Sequence, residues 1–277
     1  MPIQITTLSE NTTSATHLLA EWGLSILIEA DSRKILLDTG QTFSAAYNAI
    51  VLGIDLQKID KIIFSHGHLD HTGGLLHILQ MMKKQVEIIA HPDIWAAKYG
   101  KRPEEKERYI GVPFPREAAE TLGATFNLTR EPVWISENIV TSGEIPMITE
   151  YEEIDHDLYV KKKGKLKPDP LWDDQALFLK SERGLVIILG CAHRGVINTI
   201  RHAQKITGIE PVYAIIGGTH LIRASPQRMN LTIAELLSSG VQRLGISHCT
   251  GLAACAILAR SFGEAFFFNN AGTSISL

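Results

Sequence analysis

The fold is decided by the stretch SHGHLDHTGG at residues 65–74, which directly follows the apolar run KIIF at residues 61–64. The apolar run predicts a short buried strand. Beyond it, alternation of side chains can direct His66 and His68 to one pole and Asp70 and His71 to another. Two imidazoles beside a carboxylate and a third imidazole suit two transition-metal ions a few ångströms apart. The stretch therefore predicts a dinuclear metal site; the alternative is a polar surface loop that is merely rich in histidine.

Four other apolar runs, at residues 34–38, 185–190, 212–218 and 243–247, are predicted strands that also end in polar residues. Loops at the carboxyl ends of strands converge above a rigid sheet in layered α/β folds. The polar residues at these ends are therefore expected to share one site with the central cluster. They are Asp38, Cys191, His193, His220 and His248.

Each of these residues has a functional and a structural interpretation. His248 and His193 are interpreted as metal ligands rather than core histidines, and His220 as a ligand or as a hydrogen-bond donor to substrate. Asp38 is expected to orient metal-bound imidazoles and to raise their basicity, although an aspartate can also cap its own turn. Cys191 is a candidate thiolate ligand or bridge, and a buried structural thiol is the alternative.

Composition limits the classes of partner and compartment. The chain has 277 residues, a formal net charge of −3 and three cysteines. This charge gives no reason to expect a nucleic-acid or membrane partner, and the cysteine count implies no disulfide framework. Residues 1–10 lack the pattern of a signal peptide, so a cytoplasmic location and a small-molecule substrate are expected. One domain is expected over residues 1–277, with residues 92–130 as a helical excursion near the site.

Three motifs together resemble the metallo-β-lactamase superfamily, namely LLDTG at 36–40, SHGHLDHTGG at 65–74 and SHCTG at 247–251. The resemblance covers nearly the whole chain and implies an α/β (α+β) fold, a four-layer αββα sandwich with the site on one edge of two packed sheets. The stretches GCAHRGVIN at 190–198 and IIGGTHL at 215–221 are similar to one subgroup, labelled as the 7,8-dihydropterin-6-methyl-4-(β-D-ribofuranosyl)aminobenzene-5′-phosphate synthase type. That subgroup implies a pterin-linked transferase as an alternative function.

The chain departs from the superfamily pattern at two points. A further ligand histidine usually lies between the HxHxDH cluster and the next strand-end acid, but the matching region IVTSGEIP at 139–146 offers Glu144. Cys191 stands in the place of the strand-end acid. A first metal is therefore expected at His66, His68 and either His193 or Glu144. A second metal is expected at Asp70, His71 and His248. Zinc is expected first for both divalent ions, with iron or manganese as alternatives.

These residues predict metal-assisted hydrolysis of a small ester or phosphoester. Asp70 is expected to shuttle a proton to the leaving group, and His220 or Arg194 to stabilise negative charge on the substrate. Two other functions stay open, a phosphoribosyl-type transferase of the pterin-linked kind and a non-catalytic metal-binding protein. A phosphorylated substrate is favoured by three arginines of the excursion, Arg102, Arg108 and Arg116.

Overall fold

Two large mixed sheets carry the fold. The structure, a computed structural model, describes residues 2–277. In spatial order the first sheet contains Ser274–Ser276 (β18), Ile3–Ser9 (β1), Ser25–Ala30 (β2), Arg33–Leu37 (β3), Lys61–Ile63 (β4), Val86–Ala90 (β5) and Ala124–Leu128 (β8). The second contains Phe266–Phe268 (β17), Arg243–Ser247 (β16), Val212–Gly218 (β15), Gly184–Leu189 (β14), Ala176–Ser181 (β13), Ile139–Thr141 (β10) and Trp134–Ser136 (β9). A small sheet contains Lys165–Pro168 (β12), Leu158–Lys162 (β11), Lys98–Gly100 (β6) and Arg108–Tyr109 (β7).

Each large sheet is antiparallel at one side and parallel at the other. Strands β3, β4, β5 and β8 run parallel, as do β14, β15, β16 and β17. Parallel neighbours need crossover connections, and helices supply them here. The helices are Ser44–Val51 (α1), Leu69–Thr72 (α2), Leu75–Met82 (α3), Arg116–Thr121 (α4), Val196–Thr207 (α5), Pro226–Ser238 (α6) and Leu252–Phe262 (α7).

Neighbouring residues of the central strands face different cores, because side chains alternate across a strand. Ile35 and Leu37 of β3 pack between the two sheets together with Ile188 of β14. Leu36 packs on the other side, against α1 and α3, and Ile187 packs against α5 and α6. Full burial of each such side chain stabilises the fold by about 1.5–3 kcal/mol. The layers therefore run helix, sheet, sheet, helix, which confirms the expected four-layer αββα sandwich.

The parallel strands direct their carboxyl ends to one edge of the sandwich. At that edge β3 leads into Asp38, β4 into the loop from Ser65 to Asp70, and β14 into Cys191. Strands β15 and β16 end there as well, followed by His220 and by the short 3₁₀ helix His248–Thr250. This topology brings loops that are distant in sequence to one place.

The expected helical excursion over residues 92–130 is only partly helical, and the expectation is corrected here. The segment contains a 3₁₀ helix at Pro92–Trp95, the helix α4, strands β6 and β7 of the small sheet, and β8 of the first sheet. The strands β6 and β7 are too short to leave a periodic signal, and β6 pairs with the distant β11. No helix within residues 2–277 combines the length and the apolar character needed to cross a membrane.

Candidate metal centre

The first donor group contains three imidazoles from two strand ends. His66 and His68 lie in the loop after β4, and His193 lies in the loop after β14. The Nε2 atom of His66 is 2.9 Å from Nδ1 of His68 and 3.2 Å from Nε2 of His193. All three side chains are buried, and one ligand atom from each lies within 4.8 Å of the others. The group has the composition of a three-histidine metal site.

Hydrogen bonds determine which nitrogen of His66 is free. The Oγ of Ser65 donates to Oδ2 of Asp38 at 2.6 Å and therefore accepts the Nδ1–H of His66 at 2.9 Å. The lone pair of His66 Nε2 is thus directed into the group. Among the described residues, Nε2 of His68 and Nδ1 of His193 are buried without a hydrogen-bond partner. These are the atoms that would carry the ring proton if the opposite nitrogen of each ring bound a metal.

The second donor group combines a carboxylate with two imidazoles. The Oδ2 of Asp70 is 3.4 Å from Nε2 of His248 and 3.9 Å from Nε2 of His71, and the two nitrogens are 3.2 Å apart. The Nδ1 of His71 donates to Oδ2 of Asp38 at 2.7 Å, and Nδ1 of His248 faces Oδ1 of Asn11 at 3.0 Å. With both Nδ1 atoms used as donors, the carboxylate and the two Nε2 atoms converge on one point, where a metal ion would take the place of a proton on Nε2.

The electrostatics of the two groups suit bound cations. Burial lowers the pKa of His66, His68 and His193 well below the usual value, and nearby positive groups lower it further, so these imidazoles are neutral at pH 7, the form in which an imidazole can bind a metal. Burial also opposes protonation of His71, but the carboxylates of Asp38 and Asp70 outweigh it and raise its pKa to about 9. The second group therefore favours a positive charge, which a divalent ion would supply. The donor sets and the charges both fit transition metals.

Asp38 lies where one carboxylate can orient a ligand in each group. It contacts His71 directly and reaches His66 through Ser65. Its other oxygen accepts the backbone N–H of Ser65 at 2.8 Å, which fixes the start of the ligand loop. Such a carboxylate sets the tautomer and the direction of metal-binding imidazoles.

Cys191 borders both donor groups. Its Sγ lies 3.1 Å from Nε2 of His71, and His66, His71 and Cys191 together form a further set of close ligand atoms. Burial raises the pKa of the thiol. The position fits either interpretation of this residue, a ligand between two metals or a buried thiol.

His220 lies at the rim of the centre and is paired with an acid. Its ring centroid is 4.0 Å from that of His193, and its Nε2 donates to Oδ2 of Asp155 at 3.1 Å. Burial opposes protonation, but the interactions with Asp155 and Cys249 together outweigh it and raise the pKa of His220 to about 10. His220 therefore presents a positive charge beside the first donor group. A groove of about 910 Å³, lined by Asp155, Arg102 and Arg228, lies on the outer side of this pair.

A strap formed by residues 173–175 holds the first donor group in place. The Oδ2 of Asp173 accepts the N–H of Gly67 at 2.8 Å, between two ligands of the group. The backbone N–H of Gln175 donates to the carbonyl of Ser65 at 2.8 Å, and Oδ2 of Asp174 accepts the N–H of Arg194 at 2.9 Å. The strap therefore ties the loops after β4 and β14 to each other. Lys98 donates to Asp169 and Asp173 and balances the charge of the strap.

The loop at residues 10–24 holds the second donor group. The N–H of His248 donates to Oε1 of Glu10 at 2.7 Å, and Asn11 contacts both the ring and the carbonyl of His248. At the other end of the loop, the N–H of Leu24 donates to the carbonyl of Asp70 at 3.1 Å. The indole of Trp22 lies 5.4 Å from the His248 ring, centroid to centroid.

Four residues around the centre have a left-handed backbone conformation. Asp38, Ala192, His220 and His248 all have φ between 49° and 58°, in the left-handed region that residues with a side chain seldom adopt. Each such conformation costs on the order of 1–3 kcal/mol and persists only where surrounding contacts enforce it. All four lie at strand ends that position donor atoms, so the strain belongs to the site.

Two residues expected at the site lie apart from the donor groups. Glu144 accepts from Nε2 of His91 at 3.0 Å and from Arg130 at 2.6 Å, to one side of the centre, so His193 and not Glu144 stands beside His66. The guanidinium of Arg194 donates to the carbonyls of Ile145 and Pro170 and lies over the ring of Trp172. Arg194 thus joins loops within the protein, and its expected contact with substrate is corrected.

Several supporting residues escaped the sequence analysis. Asp173 and Asp174 are separated from β13 by one residue, and Ala176 of β13 pairs with Leu189 of the antiparallel β14. In an antiparallel pair the beginning of one strand lies beside the end of its partner. Two adjacent acids before a strand that neighbours β14 were therefore the sequence signal that could have placed these residues beside the site. Asp155 and Trp22 lie in irregular loops and left no comparable pattern.

Comparisons with known proteins agree with this fold. The family model of the metallo-β-lactamase superfamily matches residues 23–194. A 7,8-dihydropterin-6-methyl-4-(β-D-ribofuranosyl)-aminobenzene-5′-phosphate synthase of Methanocaldococcus jannaschii is 36% identical over 92% of this chain and 90% of its own. An uncharacterized protein of the same organism is 30% identical over 87% of this chain and 89% of its own. The crystal structure of Tm1679, described as a metal-dependent hydrolase of the β-lactamase superfamily, superposes with a TM-score of 0.85 and 26% identity, covering 99% of this chain and 98% of the other. The chain therefore belongs to the metallo-β-lactamase superfamily.

Proposed function

We propose that the chain is a metal-dependent hydrolase that acts on a small phosphoester and binds two divalent transition-metal ions, zinc in the first place. The observation that carries the proposal is the pair of adjacent donor groups. The first would use His66, His68 and His193, and the second would use Asp70, His71 and His248. When bound at such groups, divalent ions make water nucleophilic near neutral pH and polarise the oxygen of the substrate.

The side chains around the donors supply the remaining functions. Burial would raise the pKa of Asp70, but the His71 and His248 imidazoles outweigh it and hold the pKa well below its usual range. Its side chain is 18% exposed, so the ionised carboxylate could take a proton from the attacking water and pass it to the leaving group. His220, kept protonated by Asp155, can stabilise the negative charge of a phosphoryl group.

The hydrolase proposal is tested by metal content and turnover together. The full chain loaded with zinc is assayed with bis(p-nitrophenyl) phosphate, p-nitrophenyl phosphate and a simple lactone. We expect about two metal ions per chain and faster turnover of a phosphoester than of the lactone. His68→Ala should lower metal content and activity together, whereas His77→Ala, an exposed histidine on α3, should change neither. Full activity in His68→Ala would contradict the proposal.

A second candidate function is a synthase reaction like that of the M. jannaschii relative. The observation that favours it is 36% identity over 92% of the chain. The same donor groups would then serve a reaction in which a ribofuranosyl-aminobenzene phosphate displaces an oxygen leaving group, such as diphosphate, from the 6-methyl carbon of a dihydropterin, so that one bond forms at this carbon as the bond to the leaving group breaks. Mass spectrometry of a reaction with both compounds distinguishes the candidates, because the synthase yields a joined product only when both are present. Hydrolysis releases product without an acceptor.

A non-catalytic metal-binding protein is the remaining alternative. It predicts tight metal binding without turnover of any ester, and no functional loss in Asp70→Ala. The partial exposure of Asp70 at the centre argues against this alternative, because a site that only stores metal has no need of an open carboxylate.

A further inference from the structure

A buried thiol at the metal centre lies outside both donor groups. Cys249 belongs to the 3₁₀ helix that follows β16, and the residue is 3% exposed. Its Sγ donates to the carbonyl oxygen of Cys191, in the loop after β14, at 3.5 Å, and both thiols are free. Neither donor group uses the sulfur of Cys249, so a soft ligand atom is left at the centre.

Gly218 makes room for the sulfur of Cys249. This glycine ends β15, which lies between β14 and β16 in the sheet. A Cβ at this position would lie 2.6 Å from Sγ of Cys249, closer than a van der Waals contact permits. Because β14 and β16 are two strand spacings, about 10 Å, apart, a side chain at the end of β15 would stand between the two thiols. The glycine therefore allows Cys249 to reach Cys191 across the end of β15.

The two thiols and one imidazole form a set of close ligand atoms. One ligand atom from each of Cys191, Cys249 and His248 lies within 4.8 Å of the others, and all three residues are buried. The Nδ1 of His248 faces Asn11, which leaves Nε2 for this set. In a tetrahedral zinc site with Zn–S distances of about 2.3 Å, two sulfurs are about 3.8 Å apart. The ligand atoms therefore need to approach one another by no more than about 1 Å to hold one ion.

We propose that Cys191, Cys249 and His248 form a third ligand set, which takes a soft, thiophilic cation. The inference goes beyond the proposed function, because it requires no turnover of any substrate. Thiolate sulfur favours soft cations, whereas the carboxylate and the imidazoles of the second donor group suit manganese, iron and zinc. A cation at the third ligand set would replace the protons of both thiols, and these protons pass to solvent.

The third ligand set and the second donor group share His248. Its Nε2 also lies 3.4 Å from Oδ2 of Asp70 and 3.2 Å from Nε2 of His71. One nitrogen lone pair binds one ion at a time, so a soft cation at the thiols would take this ligand from an ion at Asp70 and His71. We therefore expect a soft cation to displace the second ion and to leave the first donor group occupied.

Cadmium is the probe, because its bonds to thiolate sulfur give an ultraviolet charge-transfer band that bonds to oxygen and nitrogen do not give. Cd²⁺ is titrated into the zinc-loaded full chain with its cysteines reduced. We expect the band to reach its full height at about one Cd²⁺ per chain, while about one Zn²⁺ is released. X-ray absorption at the cadmium edge should count two sulfur ligands, a measurement that needs no variant.

Variants then identify the sulfurs. Loss of an outer partner of a metal ligand already costs about 10–100-fold in affinity, so loss of a ligand in Cys249→Ser should raise the Kd of Cd²⁺ by at least about 10-fold and weaken the band. Cys255→Ala is the matched control and should change neither. Cys255 belongs to an apolar core cluster and, within residues 2–277, to no set of close ligand atoms. Thermal midpoints show whether each variant folds.

A single sulfur ligand, or a band that is lost in Cys191→Ser but kept in Cys249→Ser, would place Cys191 alone beside the second ion and overturn the third ligand set. The absence of a band in the unchanged protein would overturn it as well. Phosphoester turnover of the zinc-loaded chain is measured separately. Turnover without a cadmium band rejects the third ligand set alone, and a two-sulfur cadmium site without turnover rejects the hydrolase proposal alone.

Discussion

Replacement of Lys98 by Met should destabilise the protein and disturb the first donor group. The ammonium of Lys98, on β6, is 1% exposed and donates to Asp169 and Asp173, in each case at 2.8 Å. Asp173 uses its other oxygen to accept the N–H of Gly67, between His66 and His68. Methionine keeps much of the length of the side chain but leaves two buried carboxylates without their cation.

The size of the effect follows from burial. Removing one partner of a buried ion pair costs about 3–5 kcal/mol, because the remaining charge stays desolvated. That is a large share of a total stability of about 5–15 kcal/mol. It corresponds to a fall in thermal midpoint on the order of 10 °C for a chain of this size. Lys61→Met provides a matched control, because Lys61 pairs with Glu87 at the surface, and such pairs contribute about 0–1 kcal/mol.

Thermal and urea unfolding of Lys98→Met and Lys61→Met, followed by circular dichroism, measure the two effects. The visible spectrum of the cobalt-loaded protein gives a second measurement, since a shifted Gly67 loop should change the cobalt environment in Lys98→Met and not in Lys61→Met. Equal midpoints for the two variants, with unchanged cobalt spectra, would refute the assignment of Lys98 and Asp173 as supports of the ligand loop.

Three further outcomes are expected. His193→Ala should lose about one metal ion per chain while Glu144→Gln keeps both; metal analysis checks this, and equal loss in both variants would contradict the ligand assignment. Arg194→Met should lower the free energy of unfolding by about 3 kcal/mol, because two buried carbonyls lose a charged donor, and it should leave KM unchanged. A raised KM at normal stability would instead indicate that Arg194 contacts the substrate. Burial raises the pKa of Glu152 above 4.5, so the folded state binds this proton more tightly than the unfolded state. Its contribution is present below pH 4.5 and is lost as the pH rises through the folded-state pKa. The unfolding free energy of the unchanged protein relative to Glu152→Gln should therefore fall as the pH rises from about 4 through the folded-state pKa, and a constant difference would contradict this.

The sequence predicted which candidate metal ligands lie close together, because these residues follow strands that run parallel. Apolar runs are visible in sequence, and the residues after them reach one edge whatever the order of the strands. His193 and Glu144 show where this reasoning ends. Both follow strands that point to the same edge, but β10 is separated from β14 by β13. Two strand spacings amount to about 10 Å, which moves Glu144 beside His91 rather than His66. Strand order is a tertiary property that one sequence does not display.

The supporting contacts were less predictable than the donors for a related reason. Lys98 and Asp173 lie 75 residues apart and meet at 2.8 Å because β6 pairs with β11 in the small sheet. Neither residue belongs to a motif, and a buried lysine has no sequence signature apart from its partners. A candidate metal ligand can be recognised from the apolar strand that precedes it. A residue that only supports the ligands can be recognised from its contacts, which the sequence does not show.

The loop after β14 shows how the chain compensates for its departure from the superfamily pattern. Where a ligand histidine is missing near residue 144, the third imidazole of the first group comes from His193. A left-handed φ of 51° at Ala192 turns the chain so that Cys191 faces His71 while His193 faces His66. One loop thereby offers a candidate ligand atom to each group. The backbone N–H of Arg194, the next residue, donates to Asp174 and holds the turn. The strained turn at Ala192 is therefore the local structure on which a complete first donor group depends.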